Sequence, residues 1–289
     1  MDEQTANSKI LILGARGMLG TDLAPEFQGQ AELFLLDKEE LDVTNEQSLK
    51  LQIKKLLPTI IINATGYTDV AGAELNREPA FKLNSEAVKH LAEAAGAVEA
   101  KLVHFSTEYV FDGASEQGYD ELARSNPLNV YGESKAAGEK FVIDYNQGYL
   151  VRTSWLYGHA PQRGKPRGLN FVDTVLKLVA EQSEVKVVND QFGKPTYTRD
   201  LAKAVRQLIV GDYAPGIYHL VNEQPATWFD VAREVFRLKN ISTPLVPIKS
   251  DKYNNGVKRP VRAVLINTKF PRLRPWSEAL ADYLNILTP

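Results

Sequence analysis

Two residues in the stretch NVYGESKAAGE have the types and the spacing that a proton-transfer site requires, Tyr131 and Lys135. Side chains four residues apart in a helix lie on the same face, so we expect the Lys135 ammonium near the Tyr131 phenol. A phenol normally loses its proton at a pH of about 10, and a nearby cation lowers that pKa. Tyr131 is therefore predicted to act as an acid. Thr107, in the strand-like segment KLVHFSTEY, is predicted to hold the other side of a carbonyl or carbinol oxygen.

The start of the chain gives this pattern its context, because a Y-x-x-x-K spacing also arises by chance in amphipathic helices. The sequence KILILGARGMLG places Gly14, Gly17 and Gly20 directly after an apolar run. A buried strand, a tight glycine turn and a helix that begins near Met18 would bring backbone amides close to a diphosphate. The G-x-x-G-x-x-G spacing differs from the common G-x-G-x-x-G fingerprint, and similar turns also occur without a ligand. Together with Thr107, Tyr131 and Lys135 at their positions, however, chance becomes a poor explanation of the pattern.

Six further strings extend the pattern over about residues 9–285: LDVTN at 41–45, STEYVFDG at 106–113, NVYGESKAAGE at 129–139, VRTSWLYG at 151–158, DQFGKPTYTRDLA at 190–202 and GIYHLVN at 216–222. With the glycine pattern, these strings resemble the extended short-chain dehydrogenase/reductases and, within them, the dTDP-4-dehydrorhamnose reductases. The resemblance implies reduction of the C4 ketone of a nucleotide-linked 4-keto-6-deoxyhexose, most closely dTDP-4-dehydro-L-rhamnose to dTDP-L-rhamnose. It also implies NADPH or NADH as cofactor and Thr107, Tyr131 and Lys135 as the catalytic residues.

The predicted cofactor site lies at the carboxyl ends of the strands, where ligands of open parallel sheets bind. Asp37 ends the second predicted strand, where a carboxylate commonly binds a ribose hydroxyl and favours NADH, whereas the Arg16 guanidinium could pair with the 2'-phosphate of NADPH. An ordinary capping role is an equally good interpretation of Asp37. The remaining predicted contacts are Gly14, Gly17, Met18 and Leu19 at the diphosphate and, from the resemblance, Asp42 and Val43 at the adenine and Ala64, Thr65 and Gly66 along the ribose next to the nicotinamide.

The substrate contacts follow mainly from the resemblance, which assigns sugar and diphosphate binding to Thr68, Val70, Thr107, Glu108 and Trp155. Trp155 follows a predicted strand and suits stacking on a sugar face, although core packing explains it as well.

Three residues with weaker signals complete the predicted site. Arg259 and Arg262 could form bidentate pairs with a diphosphate, although surface arginines are more often solvated. The resemblance suggests that Asn84 connects Lys135 to solvent through water, and a capping or packing role is an alternative.

The sequence departs from the family pattern at three positions that leave the catalytic residues intact. Ala71 stands where the family usually has an acidic residue, Glu108 replaces the usual Asp, and Met18 replaces a frequent Gln. A related 4,6-dehydratase would carry Thr-Asp-Glu where this chain has Thr-Glu-Tyr, which disfavours that activity. Another nucleotide-sugar 4-ketoreductase or epimerase, or a non-catalytic regulatory subunit on the same fold, remains an alternative.

Composition agrees with a metal-independent enzyme. The 289 residues contain 34 Lys and Arg against 36 Asp and Glu, a formal net charge of -2 that offers no basic field for nucleic acid. There is no Cys, and the four His show no metal-ligand spacing; His104 in LVHFS is expected to pack in the core. No apolar run approaches the ~20 residues of a membrane span, and MDEQTANS lacks the features of a signal peptide. We expect a cytoplasmic protein, either a monomer or a homodimer.

The order of apolar and amphipathic segments predicts an α/β fold, a Rossmann-type doubly wound parallel sheet with a smaller C-terminal α/β substrate-binding lobe. Strands are predicted at 9–13, 32–36, 59–63, 101–105, 149–153, 185–188, 217–221 and 263–266, and helices near 18–28, 45–57, 78–96, 128–146, 170–182, 198–210, 227–239 and 276–286. The predicted division is a flexible tail at 1–8, an NAD(P)-binding domain at 9–160 and a lobe at 161–289. Because extended reductases thread the chain between the two parts, this boundary is approximate.

Overall fold

The structure is a computed structural model that describes residues 8–164, 168–211, 213–253 and 256–286. Of the predicted tail, residues 1–7 lie outside the described ranges. Within these ranges, no helix is long and apolar enough to cross a membrane.

Six parallel strands form the central sheet, in the order β10-β5-β4-β3-β1-β2. They are β1 (Lys9–Leu13), β2 (Glu32–Leu36), β3 (Ile60–Asn63), β4 (Lys101–Thr107), β5 (Gly148–Thr153) and β10 (Gly216–His219). The first strand illustrates how the sequence produces a sheet buried on both faces. Ile10 and Ile12 pack into one hydrophobic cluster, and Leu11 and Leu13 pack into another, because successive side chains in a strand point to opposite faces.

Helices cover both faces of this sheet. One face carries α1 (Met18–Phe27) and α8 (Thr198–Val210), which pack against each other and against β1. The other face carries α2 (Glu46–Leu56), α5 (Ala87–Ala97) and α6 (Val130–Ile143). Two short helices, α3 (Val70–Leu75) and α4 (Arg77–Phe81), lead into a π-helical segment at Lys82–Glu86 that continues into α5. This doubly wound arrangement confirms the predicted fold class.

A separate hydrophobic cluster of aromatic and aliphatic side chains, which includes Tyr157, Val235, Trp276 and Leu280, forms the core of the C-terminal lobe. Three short strand pairs flank it: β6 (Leu156–Tyr157) with β9 (Thr196–Tyr197), β7 (Val185–Val188) with β12 (Leu245–Ile248), and β8 (Phe192–Gly193) with β11 (Ala226–Thr227). Its helices are α7 (Phe171–Glu181), α9 (Trp228–Leu238) and α10 (Trp276–Ile286).

The structure corrects two of the predicted elements. The predicted strand at 263–266 is wrong, because Leu265 forms only an isolated bridge to Tyr119. The predicted helix at 78–96 is interrupted by the π-helical segment. After the predicted boundary near residue 160, α8 and β10 return to the central sheet, so the lobe is not one continuous stretch of the chain.

Candidate active site

The three predicted catalytic residues come together at the carboxyl end of the sheet. Thr107 is the last residue of β4, and Tyr131 and Lys135 lie one turn apart near the start of α6. The helix begins just before Tyr131 because the Asn129 side chain accepts a hydrogen bond from the Gly132 amide at 2.8 Å. All three predicted catalytic residues are buried, with exposed fractions of 5–8%.

Small residues allow α6 to approach its neighbours closely enough to place these side chains. A Cβ on Gly132 would overlap the backbone carbonyl of Tyr109, in the 3₁₀ turn at Glu108–Val110, and a Cβ on Gly138 would overlap the carbonyl of Asn84. The two glycines therefore set the distance of α6 from the end of β4 and from the π-helical segment.

The Tyr131 phenol is held in its protonated form. Burial raises its pKa well above the usual range, the nearby Glu108 carboxylate raises it further, and a hydrogen bond with Thr107 opposes both effects. The expected lowering of this pKa by Lys135 is not found in the protein itself, because burial and Glu108 determine the pKa. A phenol that keeps its proton at neutral pH is in the state required of a proton donor.

Lys135 is itself perturbed by its surroundings. Burial lowers the pKa of its ammonium to about 8, and the charge of Glu139 opposes that shift. Its Nζ donates to the Phe105 carbonyl at 3.0 Å and would lie 3.0 Å from a Cβ built on Gly66. The ammonium therefore faces the backbone that follows β3, where the nicotinamide ribose is predicted to bind.

Asn84 connects the loop after β3 to α6. It lies in the π-helical segment, accepts from the Tyr67 amide at 2.9 Å, and donates to the Tyr67 carbonyl and the Ser134 hydroxyl, each at 3.0 Å. Both amide hydrogens are used by these two bonds. This geometry gives Asn84 a fixed structural role, and its connection of Lys135 to solvent stays a prediction.

The glycine loop has the geometry that a dinucleotide diphosphate needs. Gly14 has a φ of +75°, which favours glycine, and a Cβ there would lie 3.0 Å from the Ala64 carbonyl group. Helix α1 begins at Met18 without a side-chain cap at Gly17 and without an acidic residue in its first turn. Its N-terminal amides are therefore suited to an anion, whereas the Met18 and Leu19 side chains are buried. The loop fits the predicted cofactor.

The two predicted determinants of cofactor preference are both bound to protein groups. The Asp37 carboxylate accepts from the Arg16 amide at 2.9 Å and from the Lys38 amide at 2.8 Å. The Arg16 guanidinium pairs with Glu39, at 3.1 Å, and with Glu40.

A second arginine joins the same charged group. Arg163 Nη2 lies 2.6 Å from Glu39 Oε1, and its Nη1 lies 3.5 Å from Asp37 Oδ1. Sequence reasoning missed Glu39, Glu40 and Arg163, because no motif separates them from ordinary loop charges and Arg163 is distant in sequence.

The other predicted cofactor residues line the ends of β2 and β3. Asp42 accepts from the amide and hydroxyl of Thr44, as an Asx turn does, and Val43 is buried. Thr65 donates from its amide and its hydroxyl to Asn63, which fixes the stretch Ala64–Gly66. His104, predicted to pack in the core, is fully buried beside Asn63, and burial lowers its pKa well below the usual range.

The predicted substrate residues divide into two groups. Thr107, Glu108 and Tyr131 form one buried cluster, and Tyr109, which sequence reasoning did not select, adjoins it. Burial and Glu108 raise the pKa of Tyr109 to about 12, and a hydrogen bond from Arg259 opposes that shift. Val70 begins α3, and Thr68 lies against the backbone of Gly164.

Trp155 and Arg262 contact residues that do not belong to this cluster. Trp155 has a φ of +48° and stacks on Trp228, with ring centroids 3.5 Å apart and planes at 9°. One of its faces is therefore packed against Trp228, and Gly193 also lies close to the ring. Arg262 Nε donates to the Glu116 carbonyl at 2.9 Å, and its guanidinium lies over the Phe192 ring.

The fold and this site define a reductase of the short-chain dehydrogenase/reductase type, with a buried Thr-Tyr-Lys arrangement beside a glycine loop. Within the described ranges, no cluster of three His, Cys, Asp or Glu residues could hold a metal ion.

Comparison with known proteins identifies the family. The family model described as RmlD substrate binding domain matches residues 8–288. The dTDP-4-dehydrorhamnose reductase of Aggregatibacter actinomycetemcomitans is 37% identical, covering 95% of this chain and 98% of that protein. The dTDP-4-keto-6-deoxy-D-glucose reductase of Streptomyces niveus is 36% identical, covering 96% of each. The crystal structure of dTDP-4-dehydrorhamnose reductase from Bacillus anthracis in complex with NADP superimposes with a TM-score of 0.91, at 34% identity, over 97% of this chain and 99% of that one.

The chain belongs to the RmlD family, and it is an NAD(P)H-dependent oxidoreductase of that family. Thus the resemblance inferred from the sequence motifs is confirmed.

Proposed function

We propose that this chain reduces the C4 ketone of a dTDP-linked 4-keto-6-deoxyhexose, with dTDP-4-dehydro-L-rhamnose as the first candidate substrate. The observation that carries the proposal is the buried Thr107–Tyr131 pair, with Lys135 facing Gly66 at the end of β3. These groups are placed to bind one oxygen and one ribose at the same edge of the sheet. The names of the relatives supply the nucleotide and the sugar class.

The protein's part in this reaction is to position the ketone and to supply a proton. When bound, the reduced nicotinamide supplies the hydride that adds to C4. Tyr131 and Thr107 hydrogen-bond the C4 oxygen and stabilise the negative charge that develops on it. Tyr131 then transfers its proton to that oxygen, which completes the hydroxyl group. Lys135 holds the ribose from its position beside Gly66.

The two parts of the chain have different proposed roles. We propose that residues of about 9–160 hold the dinucleotide and that residues of about 161–289, apart from α8 and β10, form most of the sugar-binding side. Arg259, on that second side, reaches the catalytic cluster through Tyr109, whereas the predicted sugar contact Trp155 belongs to the first part of the chain.

A second candidate is reduction of a different dTDP-4-keto sugar. The Streptomyces niveus relative, which is about as similar as the rhamnose-pathway relative, has a name that specifies a different sugar. Epimerase activity and a regulatory, non-catalytic role stay as further alternatives, and the intact catalytic residues favour turnover over both.

The test is turnover of purified protein with dTDP-4-dehydro-L-rhamnose and with dTDP-4-keto-6-deoxy-D-glucose, each with NADH and with NADPH, followed by the absorbance of the reduced cofactor. The Tyr131→Phe variant is the matched control, since it removes one hydroxyl and little packing. Dinucleotide binding without turnover of either sugar would refute the proposed reductase activity and favour the regulatory role.

We further propose that the protein works in the cytoplasm as a monomer or homodimer and binds neither nucleic acid nor membrane. The support is the balanced charge of -2 and the lack of a membrane-spanning helix among the described residues. Light scattering of the purified protein measures the oligomeric state.

A further inference from the structure

Glu108, the residue that follows Thr107, lies inside the candidate active site without a role in the reaction described above. It is 3% exposed, and its Oε2 lies 2.8 Å from the Thr107 Oγ1, which is a hydrogen-bond distance. The same Thr107 hydroxyl is hydrogen-bonded with the Tyr131 phenol. Glu108 is therefore connected, through one hydroxyl, to the group that donates the proton in the proposed reduction.

The hydrogen-bonding capacity of that hydroxyl is limited. A threonine hydroxyl has one hydrogen to donate and two lone pairs with which to accept. The Tyr109 amide donates to Thr107 Oγ1 at 3.2 Å and so uses one lone pair. An ionised Glu108 can only accept, so it takes the single Thr107 hydrogen. Thr107 then cannot donate to a ketone oxygen, and Tyr131 alone would stabilise the developing charge.

A neutral Glu108 carboxyl reverses the direction of this bond. Once Tyr131 bonds the ketone oxygen instead of Thr107, the Glu108 O–H donates to the second lone pair of Thr107 Oγ1, and the Thr107 hydrogen also bonds the ketone oxygen. Two donors, Thr107 and Tyr131, then face that oxygen. The neutral form also removes a negative charge from beside an oxygen that becomes negative during hydride transfer, where like charges repel each other.

We propose that Glu108 is a positioning residue for the reduction: as a neutral carboxylic acid it donates to Thr107 and so directs the Thr107 hydroxyl toward the C4 oxygen. This inference rests on the proposed reductase function. It adds one requirement to the reaction, which is that the active form of the enzyme carries a proton on Glu108.

Among the described residues, the charged and titratable groups near Glu108 include side chains from α6, from the 3₁₀ turn and from the segment after β12. Tyr131 lies on α6, with Lys135 one turn further along, and Tyr109 follows in the 3₁₀ turn. Arg259, from the segment that follows β12, donates to Tyr109. The two phenols are uncharged at neutral pH. The pH dependence of turnover tests whether Glu108 carries the proton.

The experiment measures kcat and KM from about pH 5 to pH 9 for the wild type and for Glu108→Gln, Glu108→Asp and Glu108→Ala. We expect the wild-type kcat to fall toward alkaline pH as Glu108 ionises, and Glu108→Asp to keep this fall. Glu108→Gln should retain kcat within about 3-fold at the wild-type optimum and lose the part of the fall that lies below the Lys135 pKa of about 8, because an amide N–H donates to Thr107 at every pH. Glu108→Ala should lower kcat by ~10-fold or more at every pH, with a smaller change in KM.

A second measurement does not depend on turnover. Infrared spectra of the wild type at neutral pH should contain the carbonyl stretch of a neutral carboxylic acid that is missing from Glu108→Gln and Glu108→Ala. The proposal is overturned if that band is absent from the wild type, if the wild-type and Glu108→Gln pH profiles are parallel, or if Glu108→Gln loses as much kcat as Glu108→Ala. Failure of the wild type to reduce any 4-keto sugar would instead refute the proposed function, and the infrared spectra would still test the protonation of Glu108.

Discussion

Replacing Lys135 by Met should make the protein more stable at neutral pH while it removes most of the activity. The Lys135 ammonium is buried, and burial lowers its pKa from the ordinary 10.5 to about 8. Within the described ranges, no carboxylate lies within 4.0 Å of its Nζ, whose hydrogen-bond acceptor is the Phe105 carbonyl at 3.0 Å. The folded protein therefore carries a buried charge that is compensated only in part.

The magnitude follows from the two pKa values. A tenfold change in proton affinity is worth about 1.4 kcal/mol, so the difference between 10.5 and about 8 corresponds to about 3 kcal/mol of destabilisation when Lys135 is protonated. Met keeps the length of the side chain but leaves the Phe105 carbonyl without this donor, at a cost of about 1–2 kcal/mol. The net expectation at pH 7 is a variant more stable by about 1–2 kcal/mol.

The sign of the stability difference between the variant and the wild type depends on pH. Below about pH 8 the lysine is charged in both the folded and the unfolded state, so the full cost of burial is present. Between about pH 8 and 10.5 the unfolded state binds more protons than the folded state, and the stability of the wild type rises with pH. The advantage of Lys135→Met should therefore shrink across this window and reverse by about pH 10.5, where only the lost hydrogen bond remains.

Urea denaturation of the wild type and the variant at about pH 7 and pH 10 measures this difference. The matched control is Lys194→Met, because Lys194 is also buried but pairs with Glu223 at 3.2 Å. Removing that lysine leaves a carboxylate without its partner, so the control should lose about 1–2 kcal/mol at pH 7. If Lys135→Met is destabilised as much as the control at pH 7, the ammonium does not carry the burial cost inferred here.

Three further predictions test the site and the core. Tyr131→Phe should lower kcat by ~10² to 10⁴-fold and leave the dinucleotide Kd nearly unchanged, and a kcat within a few-fold of wild type would remove Tyr131 from the mechanism. Glu40→Gln should weaken the ion pair that binds the Arg16 guanidinium and raise the ratio of kcat/KM for NADPH to that for NADH by ~5-fold or more. Arg16→Ala should abolish this gain. An unchanged ratio would mean that Arg16 does not contact the 2'-phosphate. Burial lowers the pKa of His219 from 6.5 to about 4, so between these pH values the unfolded state binds more protons than the folded state. The free energy of unfolding should therefore fall by about 3 kcal/mol as the pH drops from 6.5 to about 4. His219→Gln should lose less stability, as urea titrations at pH 7 and pH 4 would show.

The positions of the predicted catalytic residues relative to one another follow from local sequence patterns, and their catalytic role stays a prediction. The four-residue spacing of Tyr131 and Lys135 places both on one face of α6, and the strand ending in Thr107 pairs with its neighbours in a parallel sheet whose carboxyl edge holds ligands. The glycine loop is equally local, since the positive φ of Gly14 and the start of α1 at Met18 follow from a few consecutive residues. These features depend on short stretches of chain, and those stretches are what the motifs describe.

The electrostatics of the site was not predictable in the same way. The sequence shows that Lys135 is near Tyr131. It does not show that both side chains are buried or that the Glu108 carboxylate lies near the phenol. These facts depend on the packing of α6 against β4, and they change the direction of the Tyr131 pKa shift. The pairing of Arg163 with Glu39 likewise joins residues far apart in sequence, so no local pattern indicates it.

The predicted strand at 263–266 failed for a related reason. Its residues are apolar and Val264 and Leu265 are buried, as the pattern AVLI suggests. A strand, however, requires a continuous partner, and the strand-like pairing of this segment is limited to one isolated bridge, from Leu265 to Tyr119. Apolar patterning reports that a segment is buried, whereas the presence of a neighbouring strand is decided by the topology of the whole chain.

Buried polar groups in this site show how function and stability oppose each other. Lys135 and Glu108 are both removed from water in the same cluster as Tyr131, and each would cost less free energy as an apolar side chain. Their retention is understandable if each does work that requires burial: the ammonium must face the ribose beside Gly66, and the Glu108 carboxyl must be dry enough to keep a proton. The Lys135→Met and Glu108→Gln variants separate these two costs, because the first removes a charge that destabilises the fold and the second removes only the ability to ionise. If both variants gain stability and only the first loses turnover, the buried charge serves the cofactor and the buried carboxyl serves the direction of a single hydrogen bond.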